Sequence, residues 1–121
     1  MNVLMVPLIA IGVIVSGPTD EPSEHAMRAA FEAHITSEVQ AVLDFASETG
    51  GPEAVAKIRA AGTDRFEIRA FQKLNCARSA TQAGYVCGFV VDIAVVHGAL
   101  QSLLVGRFIP GSNGLDFSLG S

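Results

Sequence analysis

The sequence predicts an α+β domain in which helix comes first and a four-stranded antiparallel sheet follows. Residues 24–49 contain no glycine or proline and carry apolar side chains every three or four positions, as an amphipathic helix does. After Gly62 the apolar period shortens to two, which is typical of half-buried strands. The only two cysteines, Cys76 and Cys87, lie eleven positions apart in this second part. That spacing suits a disulfide between neighbouring strands.

The helical part divides into two predicted helices. Ser23 is a good N-cap for the first, which spans about seven turns and ends at Gly50-Gly51. Pro52 suits the first position of a second, shorter helix that ends at Gly62. The apolar face of the long helix should consist of Met27, Phe31, Ile35 or His34, Val39, Val42 and Phe45.

Four strands are predicted from the alternating segments. They cover about Arg65–Cys76, Tyr85–His97 and Leu100–Ile109, and a short last strand holds Leu115, Phe117 and Leu119. Gly98-Ala99 suits a two-residue type II′ turn, which pairs His97 with Leu100. If Cys76 also faces Cys87, the two registers place one apolar face across three strands. We therefore expect a meander whose apolar face is covered by the long helix.

The cysteine pair admits a structural and a chemical interpretation. A redox or metal-binding pair would require a C-x-x-C spacing or further cysteines and histidines nearby, and neither is present. Both cysteines also fall on the predicted core face. The pattern therefore favours a structural disulfide.

The first sixteen residues carry no charged side chain and include an apolar run from Val3 to Val15. Residues 1–17 are interpreted as a signal peptide, although the segment lacks a basic n-region. A retained membrane anchor and a buried strand are the alternatives, and the run is short for a spanning helix, which needs about 20 residues. With the disulfide, the segment predicts a periplasmic or secreted protein with one domain at residues 18–121. Membrane contact would then occur only through residues 1–17, if they remain uncleaved.

The net charge of −4 disfavours nucleic acid as a partner. The charge is uneven, because residues 18–53 hold eight acids and one base while residues 54–121 hold seven bases and four acids. One interpretation is a solvated acidic helix beside a mildly basic sheet. The other is a cationic sheet face that meets an anionic ligand or partner.

Asp92 lies in the middle of a predicted apolar strand, where a carboxylate is costly unless it is paired. The predicted registers put Phe71 and Val105 opposite it, with Arg69 and Lys73 on one diagonal side and Leu103 and Arg107 on the other. Asp92, Arg69, Lys73 and Arg107 are therefore predicted to form either a structural ion-pair network or a basic binding patch.

The second face of the predicted sheet is too apolar for open solvent. Its members are Phe71, Val86, Val90, Val96, Leu103, Val105 and Ile109. A curved sheet that encloses a pocket, a homodimer interface and an interface with an envelope protein are the three explanations. We favour an interface.

No residue pattern indicates catalysis, a metal site or a cofactor. His25, His34 and His97 lack companions at metal-ligand spacing, and no serine lies in a nucleophile-elbow context. The turn around Ser112 is no phosphate loop, because no helix with Lys-Ser or Lys-Thr follows it.

One local pattern is similar to a known group of proteins. Phe71–Cys76, Gly84–Phe89 and Gly106-Arg107-Phe108 give a strand that ends in Cys, a short loop, a Gly-Tyr-x-Cys strand and a later Arg-Phe strand. This pattern resembles that of small exported bacterial proteins of uncharacterised function. The resemblance implies export and a helix packed on a curved sheet of cystatin-like or NTF2-like appearance. It implies no catalytic residue.

These observations predict an exported, non-enzymatic binding or protein-interaction module. A cone-shaped domain that binds a small ligand or catalyses a reaction is the first alternative, and an enclosed pocket with a polar wall would favour it. A membrane-anchored envelope subunit is the second alternative.

Overall fold

The computed structural model describes residues 21–112 and 114–120. One helix and four strands follow each other in the order α1 (Glu24–Ala61), β1 (Glu67–Arg78), β2 (Tyr85–Val95), β3 (Gly98–Gly111) and β4 (Gly114–Leu119). The strands pair antiparallel in chain order, so the predicted α+β class and meander are confirmed. The signal peptide or anchor predicted at residues 1–17 lies outside the described residues.

Helix α1 begins and ends where the sequence predicts. The Ser23 hydroxyl accepts a hydrogen bond from the Ala26 N–H at 3.1 Å, and Gly62 closes the helix in the left-handed conformation. The prediction of two helices is wrong, because one helix of 38 residues spans the segment. The predicted boundary is instead a kink at Gly51, whose φ of 71° and ψ of −167° are unfavourable for residues other than glycine. Pro52 follows directly and is tolerated there because the hydrogen-bond ladder is already interrupted.

Residues from the two halves of α1 come together. Val39 and Leu43 from the first half and Ile58 from the second line one cavity of about 170 Å³. Leu43 is buried, and Val42 also lines this cavity although it is 57% exposed. Phe45 is 67% exposed, so the predicted apolar face is wrong for that residue. The four-residue steps that begin at Met27 continue through Leu43, and this phase keeps Phe45 on the solvent side.

The core between α1 and the sheet is a cluster of phenylalanine rings. Phe89 lies at its centre, stacked on Phe71 at a centroid distance of 4.9 Å and edge-on to Phe31 at 5.2 Å. Phe108 and Phe117 complete the cluster at 5.9 Å each from Phe89. Such pairs add about 0.5–1.5 kcal/mol each beyond burial of their area, so this cluster holds the helix on the sheet.

Strand β1 departs from its predicted register at two bulges. Cys76 pairs with Cys87 as expected, but the pairing slips by one residue between Lys73 and Cys76 and again between Ile68 and Ala70. Residues 70–73 are therefore turned over relative to the prediction. Phe71, predicted on the second face, is buried in the core, and Leu74, predicted in the core, is 37% exposed. The slip places a phenylalanine in the core where the prediction had small or polar side chains, and the phenylalanine buries more apolar area.

The predicted register between β2 and β3 is also wrong. Val95 pairs with Gly98, so the turn falls at Val96-His97 rather than at Gly98-Ala99, and every pairing moves by four residues. Phe89 consequently lies opposite Leu104 instead of Phe108. An even shift leaves every side chain on its predicted face, because strand side chains alternate with a period of two. Hydrophobic alternation therefore could not distinguish the two registers.

Gly106 provides a test of how tightly the core is packed. It is buried on the helix side of β3, and a Cβ there would lie 2.7 Å from Cζ of Phe117 and overlap other atoms of that ring. Gly106→Ala is therefore expected to lower the free energy of unfolding by about 1–3 kcal/mol, measured by denaturant titration. Gly88→Ala is the matched control, because a Cβ there meets Leu74 at an ordinary 3.8 Å. Equal stability of the two variants would contradict this account of the packing.

Candidate interaction surface

Two helix side chains attach α1 to β1 next to the two bulges. The Arg28 guanidinium donates a hydrogen bond of 2.6 Å to the Ile68 carbonyl, and Glu24 accepts one of 2.8 Å from the Lys73 N–H. Bulges leave backbone groups of a strand without a ladder partner, and charged side chains form strong hydrogen bonds to such groups. The spacing of four residues that places Glu24 and Arg28 on one helix face is the signal from which these contacts could have been predicted.

Lys73 lies on the helix side of the sheet. Its Nζ is 2.8 Å from a carboxylate oxygen of Glu21 and donates a hydrogen bond of 2.7 Å to the Pro22 carbonyl. The predicted position beside Asp92 is therefore wrong for Lys73, because the bulge after it turns its side chain towards the start of α1.

Of the other members of the predicted patch, Arg69 stays beside Asp92 in the strand pairing, because it directly precedes Ala70, whereas Arg107 lies far from both. Arg69 is exposed at the first bulge and has no partner in the strand pairing. Asp92 lies opposite Ala70 on one side and Gln101 on the other, and Arg107 lies opposite Val86. Six positions of β2 separate Val86 from Asp92, or about 20 Å of strand. The expected proximity of Arg107 to Asp92 within one chain is therefore wrong, and its cause is the four-residue shift of β3.

The face of the sheet opposite α1 is apolar in its centre, and we call it the outer face. Leu103 is 69% exposed and Val105 is 47% exposed, although both lie in the middle of β3. Leu74 lies over Gly88, where a Cβ would meet it at van der Waals distance, and Val86 and Val90 are half-buried beside them. Large exposed apolar patches on soluble domains mark interaction sites. The expectation of an apolar second face holds, with Leu74 in place of Phe71.

Charged side chains lie at both ends of the outer face. Asp92 is at one end and Arg107 at the other, and each is half-buried. Neither side chain forms a hydrogen bond or ion pair with another described residue, and the Nε atom of Arg107 is buried without an acceptor. Buried polar groups normally have hydrogen-bond partners. The described part of the chain supplies none for these two side chains.

The predicted disulfide between Cys76 and Cys87 is confirmed, with an S–S distance of 2.05 Å. Cys87 is fully buried, and its neighbours Val86 and Gly88 lie on the outer face. The bond joins β1 to β2 immediately after the second bulge, where the ladder is interrupted. It therefore fixes the part of β1 that carries Leu74 against β2. Such bonds form and persist in oxidising compartments.

Other features of the described residues carry no comparable chemistry. His34 packs edge-on against Phe117 at 5.1 Å, and no group of three or more His, Cys, Asp or Glu residues in this part of the chain could hold a metal ion. A depression of about 770 Å³ is lined by residues of α1 alone and is an open helix surface. Among the residues described, no helix is long and apolar enough to cross a membrane.

Comparison of the chain with models of protein families, with curated proteins and with solved structures gives no significant match. The interpretation of the outer face consequently depends on its own geometry and chemistry.

Proposed function

We propose that this protein is an exported, non-enzymatic protein-interaction module that binds its partner through the outer face. The observation that carries the proposal is the exposed aliphatic centre of that face, formed by Leu74, Leu103 and Val105. The strand that carries Leu74 is joined to β2 by the disulfide. A partner of matching chemistry is a folded protein with an apolar patch and charges of both signs at its margin.

The disulfide and the apolar leader together support export to the periplasm or outside the cell. A helix laid over one face of a four-stranded meander supports a cystatin-like or NTF2-like architecture. In a ligand-binding or enzymatic cone, the sheet would curve around a polar-walled pocket. The exposure of Leu103 and Val105 instead favours an interaction surface.

Photo-crosslinking in the cell that produces the full chain tests the proposal. A photoreactive amino acid at Leu103 should give an adduct of defined mass, because this side chain points out of the outer face. The same amino acid at Ala41, on the exposed surface of α1, is the matched control and should give none. Absence of an adduct at position 103, or equal adducts at both positions, would refute the proposal.

The N-terminus of the protein recovered in that experiment separates the remaining alternatives. A chain that begins near Pro18 supports a cleaved signal peptide. An intact Met1 in a membrane fraction selects the anchored envelope subunit.

A further inference from the structure

We infer that the partner is a second copy of this chain, bound outer face to outer face, with Asp92 of each copy paired with Arg107 of the other. This inference rests on the proposed function and specifies the partner. Along the outer face, an acid and a base lie at opposite ends of an apolar centre.

The strand pairing gives the outer face four successive rows. The first contains Val86 and Arg107, the second Gly88 and Val105, the third Val90 and Leu103, and the fourth Asp92 and Gln101. The midpoint between Asp92 and Arg107 therefore falls between the two aliphatic rows. The charges are thus placed symmetrically about the most exposed apolar part of the face.

A two-fold axis parallel to the sheet, running across the strands through this midpoint, stacks the two faces. It brings the Asp92 row of one copy over the Arg107 row of the other, and the symmetry repeats the contact at the opposite end. The two sheets would lie about 10 Å apart with their strands nearly aligned, as in β-sandwiches. Leu103 and Val105 of both copies then meet in the centre.

The same arrangement supplies the partners that the isolated chain lacks. Within one chain Asp92 and Arg107 are too far apart to pair, and neither has another partner among the described residues. A partner with an apolar patch alone would leave both charges desolvated and unpaired, which is costly. A second copy offers both opposite charges at the required separation, so the face is complementary to itself.

Sedimentation equilibrium of the full chain under oxidising conditions tests the association. The native protein should be a dimer. Leu103→Lys should raise the dissociation constant of the dimer at least about a hundredfold, because a symmetric interface contains the substitution twice. Leu100→Lys is the matched control, since Leu100 is 60% exposed in the same strand but its side chain lies on the opposite face of the sheet. It should leave the dissociation constant within about threefold of the native value.

A charge exchange tests the proposed pairing. Asp92→Arg and Arg107→Asp should each weaken the dimer about tenfold or more, because each places like charges together. The double variant should recover most of the native affinity, since it restores opposite charges across the two-fold axis. Glu48→Arg, on the exposed surface of α1, should have no effect. Circular dichroism of every variant should confirm a native fold.

The outcomes separate this inference from the proposed function. A native protein that stays monomeric at millimolar concentration, or a double variant as weak as the sum of its single variants, overturns the two-fold dimer. If the Leu103 crosslink then has the mass of a different protein, the interaction module stands without self-association. A dimer that Leu100→Lys disrupts and Leu103→Lys does not would overturn both.

Discussion

Replacing Phe89 with alanine is expected to lower the free energy of unfolding by about 3–5 kcal/mol, measured by denaturant titration. Phe89 is fully buried and its ring contacts four other phenylalanine rings, from α1, β1, β3 and β4. Its removal therefore leaves a cavity that is shared by every element of the fold. The variant should also lose near-ultraviolet circular dichroism before its helix content declines, because the ring contacts are tertiary.

Phe45→Ala is the control for that measurement. It removes the same number of atoms from a side chain that is 67% exposed, so the expected loss is within about 0.5 kcal/mol. Losses of similar size in the two variants would contradict the placement of the core between α1 and the sheet. They would indicate that the Phe45 ring is packed in the folded chain.

Removal of the disulfide has the second large expected effect. Cys76→Ala with Cys87→Ala should lower the free energy of unfolding by about 3 kcal/mol, because an unfolded chain without the bond gains loop-closure entropy over eleven positions. The loss should appear in equilibrium unfolding by guanidinium chloride. The bond also bridges an interrupted part of the β1–β2 ladder, so little backbone pairing replaces it there.

Reduction of the native protein supplies the matched control. It opens the same bond without changing any side chain, and the reduced protein should lose a similar free energy. Little change on reduction, together with a large loss in the double alanine variant, would assign the effect to packing of Cys87 in the core and not to the crosslink.

The sequence was sufficient wherever a local signal decided the structure. Ser23 and Gly62 mark the two ends of the helix, since capping depends on residues within one turn. The change of period after Gly62 located the four strands, and the spacing of Cys76 and Cys87 predicted their bond. The alternation of apolar residues also predicted which face of the sheet carries Leu103 and Val105, because successive side chains of a strand point to opposite faces.

Tertiary structure alone decided how these elements are joined. The sequence Gly50-Gly51-Pro52 is compatible with a boundary between two helices and with a kink in one helix, and the structure has one helix with a kink at Gly51. The bulges of β1 exist because Phe71 reaches the ring cluster only if the strand slips by one residue. A hydrophobic pattern of period two cannot distinguish registers of β3 that differ by an even number of residues. That four-residue shift separates Arg107 from Asp92 and so converts a predicted network within one chain into an unpaired acid and base on one face.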